Sequence, residues 1–172
     1  MDRKRVLIIE DQREIARMIH SAIQMMDPSL DVLDTLSAEE AVLELKERGA
    51  DLLIVDVRLP GISGLQLIER WRRQNIHVPI IVTTGFADPA TRARAEQLGA
   101  KAFFAKPLPM EEFLGAVHAI LSGEDYRPGE DRTGNLLSEL RKSTGAEAVW
   151  LCQESGQVAL RAGDVLDAEE YE

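Results

Sequence analysis

Cysteine is nearly missing from this 172-residue chain: Cys152 stands alone, which excludes an intrachain disulfide and agrees with a reducing compartment. No apolar run approaches the roughly 18 to 20 residues that a helical membrane crossing needs. No leader is expected either, because Met1-Asp2-Arg3-Lys4-Arg5 runs straight into a strand-like stretch rather than reading as a signal peptide. Basic excess is absent: the formal net charge is −10, whereas a surface for nucleic-acid phosphates depends on clustered Lys and Arg. No internal repeat, low-complexity tract or helix-turn-helix is visible. These absences predict a cytoplasmic protein with no membrane segment and no DNA-binding module in this chain.

What is present is the composition of a soluble globular protein, 45% hydrophobic and 29% charged. The length suits one ordinary domain plus a remainder too short to be a comfortable second one. Charge divides the chain in the same way. Residues 1–121 carry 15 bases against 18 acids, a net −3, and residues 122–172 carry 5 against 12, a net −7.

Five short apolar runs alternate with five helix-like segments up to about residue 121. The runs are Arg5 to Ile9, Asp31 to Thr35, Leu52 to Val55, Pro79 to Thr83 and Ala102 to Ala105. Three are nearly continuous in Val, Ile and Leu, as strands buried on both faces of a parallel sheet are, while the second is polar-interrupted and reads as an edge. Ser37 with Glu40, Ser63 with Gln66 and Asp11 with Glu14 read as capping boxes, and Asp88-Pro89 as a cap followed by proline at the first helical position. Gly49, Gly99 and Gly123 sit where helices should stop. This alternation predicts a doubly wound parallel α/β sheet with right-handed crossovers.

Residues 123–134, rich in Gly, Asp, Glu and Arg around Pro128, read as a linker between a domain at 1–122 and a C-terminal segment at 135–172. That segment predicts an amphipathic helix, Asn135 to Thr144, then a β-hairpin of Ala148 to Cys152 and Gln157 to Arg161 about Glu154-Ser155-Gly156. One helix and one hairpin make a poor domain alone.

The strand exits converge on carboxylates. The first strand ends in Glu10-Asp11, the third in Asp56, the fourth in Thr83-Thr84, and the fifth runs into Lys106-Pro107. In an open α/β sheet these exits form the ligand-binding edge. Three carboxylates there repel one another, and a hard divalent cation such as Mg²⁺ relieves the repulsion with carboxylate, carbonyl and water ligands. A lysine and a threonine hydroxyl beside them suit a trianionic group.

In this arrangement the chain resembles the receiver domains of two-component response regulators. The resemblance covers about residues 4–121 and rests on Val6-Leu7-Ile8-Ile9-Glu10-Asp11, Asp56-Val57-Arg58-Leu59-Pro60-Gly61 with Gly64, Pro79-Ile80-Ile81-Val82-Thr83-Thr84, and Gly99-Ala100 through Phe103 to Lys106-Pro107. It implies a flavodoxin-like fold with five strands in the order 2-1-3-4-5 and five helices, followed here by the helix and hairpin. It implies Asp56 as phosphoacceptor from a sensor histidine kinase or phosphotransfer protein. Asp11 matches the direct Mg²⁺ ligand, Glu10 an acidic neighbour acting through water, and Arg58 the backbone carbonyl lent to the metal. Thr84, five residues after Pro79, matches the switch hydroxyl, Lys106 the phosphoryl partner, and Phe103 the aromatic switch. Family precedent also offers a homodimer through the fourth helix, fifth strand and fifth helix.

Three departures stand out: Phe103 where tyrosine is frequent, Gly85 where alanine is usual, and the bulk of Arg58 and Phe86 two residues beyond Asp56 and Thr84. The last predicts a slowly hydrolysed phosphoaspartate. Leu136 to Asp164 resembles the start of a GAF or roadblock-type domain, with Asp167 to Glu172 at the place where the rest was cut off or lost.

Two rivals stay open. An Mg²⁺-dependent phosphohydrolase would normally want a second aspartate where Arg58 stands, and a pseudo-receiver would act as an interaction module without phosphorylation. His20, His77 and His118 read as isolated, Cys152 as packed in the hairpin, and Arg70, Arg72 and Arg73 around Trp71 as a solvated helix face.

Overall fold

Strands Leu52–Asp56 and Ile80–Thr84 are buried along their whole length, as continuous apolar runs in the middle of a two-sided sheet must be. They belong to a computed structural model that describes residues 3–124 and 126, together with the backbone of two later strands, Val149–Cys152 and Val158–Ala162. In chain order the elements are β1 (Arg5–Ile9), α1 (Arg13–Met26), β2 (Asp31–Thr35), α2 (Ala38–Arg48), β3 (Leu52–Asp56), α3 (Gly64–Arg73), β4 (Ile80–Thr84), α4 (Pro89–Gln97), β5 (Ala102–Ala105), α5 (Met110–Ser122), β6 (Val149–Cys152) and β7 (Val158–Ala162). The first five strands form one parallel sheet in the order β2-β1-β3-β4-β5. This is the flavodoxin-like arrangement expected, and β2 lies at an edge as its polar interruptions require.

Strand alternation sorts the apolar residues into two layers. Val6, Ile8, Ile54, Ile81 and Phe104 pack with Ile19 of α1 and Phe113 of α5. Leu7, Val55, Val82 and Phe103 pack on the other side with Leu45 of α2, Trp71 of α3 and Ala95 of α4. Tyr126 joins the first layer, its ring 6.1 Å from that of Phe104 and its hydroxyl donating to Glu112 Oε1 at 2.8 Å. The chain divides into two compact units, Met1–Tyr126 and Arg127–Glu172. In the second, β6 and β7 pair antiparallel with a register shift at Leu151/Cys152. The predicted helix Asn135 to Thr144 and the turn Glu154-Ser155-Gly156 lie outside the described residues, as do the side chains of the hairpin, Cys152 included.

Local signals hold at most boundaries and fail at some. Ser63 and Gln66 form the full capping box of α3, and Asp88 caps α4 through the amide of Thr91, with Pro89 at its start. Ser37 caps α2 through the amide of Glu40, but the Glu40 carboxylate accepts from Leu36 rather than from Ser37. The box expected of Asp11 and Glu14 does not form: the N-cap of α1 is Gln12, with no side-chain cap bond. Asp11 is thereby left exposed at the sheet edge. Two strands end one residue later than expected, so Asp56 and Thr84 belong to their strands.

The solvated face expected of the arginines around Trp71 holds for Arg70 and Arg73, both exposed, and needs correction for Arg72. Trp71 is buried, Arg73 pairs with Glu69, and Arg72 donates to the carbonyls of Leu98, Ile76 and Val78, tying the end of α3 to the segments flanking β4. His20 is not isolated, because its Nδ1 lies 2.8 Å from Asp34 Oδ1.

Candidate functional site

Sheet order brings the exits of β1, β3, β4 and β5 side by side, and with them the polar residues that end those strands. Asp56 closes β3 with its side chain 2% exposed, and Glu10 follows β1 at 1%. Burying two carboxylates so close costs several kcal/mol per ion unless a counter-charge is present. Lys106 supplies it: its Nζ donates to Glu10 Oε2 at 2.5 Å and to Asp56 Oδ2 at 3.0 Å. Burial pushes the Glu10 carboxyl above its ordinary pKa, the hydrogen bond from Lys106 opposes that rise, and the charge of Asp56 adds to it.

Asp11 completes the acidic group from the exposed side. One carboxylate oxygen from each of Glu10, Asp11 and Asp56 lies within 4.8 Å of the others. Three carboxylates and one ammonium leave a formal −2, and Asp56 Oδ1 is buried with no hydrogen-bond partner among the described residues. An orphaned carboxylate oxygen of this kind is costly and marks a place where a cation or a new bond is accommodated.

The loop after β3 is shaped to fix the end of the strand that carries that oxygen. Gly61 takes φ +83°, and the Gly64 amide donates to the Val57 carbonyl at 2.9 Å, which folds the chain back on the strand end. A Cβ at Gly64 would overlap the Asp56 carbonyl and lie 2.8 Å from Val55 Cγ1, so glycine is required by close approach.

Thr84, fully buried at the end of β4, does not face the carboxylates through its hydroxyl. That hydroxyl accepts from the Phe86 amide at 3.1 Å and donates to the Phe86 carbonyl at 3.3 Å. Phe86 itself is 62% exposed, and the Arg58 guanidinium carbon lies 5.6 Å from its ring centroid. Arg58 and Phe86 thus join the loops after β3 and β4 by a cation–π contact. Phe103 is buried on the opposite face of β5 from Lys106, and the Arg92 guanidinium of α4 stacks 4.6 Å from its centroid. Lys106–Pro107 is cis.

Of the residues expected at the site, Glu10, Asp11, Asp56 and Lys106 come together directly. Arg58, on the loop after β3, and Thr84, at the end of β4, border the site, and Phe103 lies behind it. Sequence reasoning missed Arg92, which no local pattern ties to Phe103, and passed over Thr83, whose parity along β4 could have placed it on the Asp56 side.

Residues 6–118 match the family model of the response regulator receiver domain. The chain belongs to that family. Among similar proteins, the transcriptional regulatory protein PhoP of Escherichia coli K12 is 33% identical over 117 residues, 68% of this chain and 52% of PhoP. Nodulation protein W of Bradyrhizobium diazoefficiens is 35% identical over 134 residues, 77% of this chain and 58% of that protein. The chain therefore spans little more than half the length of these relatives.

Among solved structures, a putative response regulator from Chloroflexus aurantiacus superposes with a TM-score of 0.63 at 29% identity, covering 70% of this chain and 99% of that one. The receiver domain of a Luxo repressor protein from Vibrio parahaemolyticus superposes with a TM-score of 0.66 at 23% identity, covering 71% and 92%, and shares the fold. Receiver domains are signalling domains rather than classical enzymes, and they typically bind Mg²⁺ in an acidic pocket. The pocket of this receiver fits such an ion: hard oxygen donors, a formal charge of −2 and an orphaned Asp56 oxygen are what a small divalent cation takes.

Among the described residues no helix is long and apolar enough to cross a membrane.

Proposed function

We propose that this receiver is a cytoplasmic phosphoacceptor switch in which Asp56 takes a phosphoryl group from a phosphohistidine of a sensor histidine kinase or phosphotransfer protein. An oxygen of the Asp56 carboxylate attacks phosphorus, the P–N bond breaks, the imidazole leaves, and an acyl phosphate forms on Asp56. The observation that carries this reading is the unpaired, buried Oδ1 of Asp56 beside a carboxylate cluster and an ammonium. Asp11, Asp56, the Arg58 carbonyl and, through water, Glu10 would hold Mg²⁺, which offsets the charge on the phosphoryl oxygens when bound. Lys106, already at the carboxylate, pairs with the transferred group.

The switch follows from the hydrogen bonds of Thr84. Its hydroxyl is engaged by the backbone of Phe86, so turning toward a phosphoryl oxygen releases the loop after β4. Phe103 and α4 then repack, two states of one packed element being biased by one new charge. The output passes to a partner, to a second copy, or to the C-terminal segment 135–172 beyond the linker 123–134, which we read as part of a sensory or dimerisation module. The phosphohydrolase reading is disfavoured by Arg58, an exposed cation where an acid/base carboxylate would be needed.

Incubation with a small phosphodonor and Mg²⁺, followed by intact mass and sizing, tests the proposal. Wild type gains one phosphoryl group and Asp56→Asn gains none; an unmodified wild type would instead favour a phosphorylation-independent interaction module.

A further inference from the structure

Thr83 carries the other orphaned group at this site. Its hydroxyl is buried, at 1% exposure, and has no hydrogen-bond partner among the described residues. Leaving a hydroxyl so is costly relative to a satisfied one. Valine would fill the same space at no such cost, so the hydroxyl calls for an explanation.

Register supplies one. Thr83 is the direct neighbour of Asp56 across the β3–β4 pair and of Phe104 across the β4–β5 pair. Paired residues on adjacent strands present their side chains to the same face, so Thr83 shares a face with Asp56, with Phe104 and, two residues on, with Lys106. Thr84 falls on the other face and spends its hydroxyl on Phe86. The two adjacent threonines are therefore not duplicates.

Lys106 connects the rest. It starts just beyond β5 and reaches Asp56 on β3 and Glu10 after β1, so its stem crosses the exit of β4, on the side of the sheet that carries Thr83. An ammonium has three donors, and two are given to Glu10 and Asp56. When Asp56 becomes an acyl phosphate, its negative charge passes to the phosphoryl oxygens, the ammonium shifts toward them, and its third donor is still to be satisfied.

We propose that Thr83 is a positioning residue for Lys106, its hydroxyl accepting a hydrogen bond from the ammonium as phosphoryl transfer to Asp56 proceeds. This rests on the reading of Asp56 as phosphoacceptor. Rotation about the Thr83 side-chain bond presents the hydroxyl to the lysine without any change of backbone. Lys106 is then fixed between Glu10, the phosphoryl group and Thr83.

The test compares wild type, Thr83→Val, Thr83→Ser and Asp56→Asn, with the rate of phosphoryl adduct formation from a small phosphodonor at saturating Mg²⁺ and the melting temperature as readouts. Thr83→Val should fold with an unchanged or higher melting temperature and acquire the adduct roughly tenfold more slowly, the loss of one hydrogen bond to a charged group. Thr83→Ser should keep the wild-type rate. A wild-type rate in Thr83→Val overturns the proposal, and so does equal slowing in Val and Ser, which would assign the effect to shape. No adduct on wild type, or the same adduct on Asp56→Asn, removes the underlying reading of Asp56 and the proposal with it.

Discussion

Gly64 presses the first turn of α3 against the carbonyl of Asp56 so closely that a Cβ would overlap it. The contact fixes the end of β3 and the loop that follows, and with them the place of the Asp56 carboxylate. A Cβ at Gly85, by contrast, would meet nothing within 4 Å. Gly64→Ala should therefore cost about 1–3 kcal/mol in a urea titration and reduce phosphoryl acceptance. Gly85→Ala should do neither; equal effects of the two substitutions would contradict this account of the loop.

Mg²⁺ should stabilise the receiver before any phosphodonor is added, because binding neutralises the excess charge of Glu10, Asp11 and Asp56. At ten times its dissociation constant the gain is about 1.4 kcal/mol, readable as a rise in melting temperature. Asp11→Asn should abolish most of that rise, while leaving the metal-free protein at least as stable as wild type. A wild-type melting temperature indifferent to Mg²⁺ would remove the metal from the site.

The contact of Arg58 with Phe86 bears on how long the phosphoryl group lasts. It joins the loops after β3 and β4, two residues beyond Asp56 and Thr84, and is expected to hinder the approach of hydrolytic water. Phe86→Ala should shorten the lifetime of the adduct by roughly two- to fivefold, the kinetic equivalent of one exposed cation–π contact. Wild-type hydrolysis within seconds in Mg²⁺ buffer would show that the pair does not shield the site.

Arg92 clasps α4 to β5 through the ring of Phe103, alongside the Arg94–Glu69 ion pair, the Arg72 bond to the Leu98 carbonyl and the single buried side chain of α4, Ala95. Arg92→Ala should lower the melting temperature by about 3 °C and raise amide exchange in α4 selectively. Unchanged exchange there would mean that the stacking contributes nothing.

Much of this is readable from the sequence for a simple reason. Strands buried on both faces must be continuous runs of apolar residues, so β1, β3 and β4 declare themselves, and the residues that end them fall on one sheet edge. Glu10, Asp11 and Asp56 are found that way, and Lys106 at the exit of the shorter run β5. Asp11 also has the local pattern of a cap, an acid three residues before Glu14, yet the cap falls to Gln12 instead. What stays hidden depends on long side chains crossing between elements. Arg72 reaching the carbonyls around β4, Arg92 over Phe103 and Tyr126 against Phe104 leave no periodic trace. The spacing from Pro79 singles out Thr84 in the sequence, but only register sets Thr83 beside Asp56.

Hydroxylamine trapping tests the central claim most directly, because it converts an acyl phosphate on a carboxyl side chain into a hydroxamate that peptide mapping can locate. After reaction with a small phosphodonor and Mg²⁺, the modified peptide should carry Asp56, and neither Asp56→Asn nor wild type held in chelator should yield it. A hydroxamate at any other residue, or none on wild type, would contradict the account.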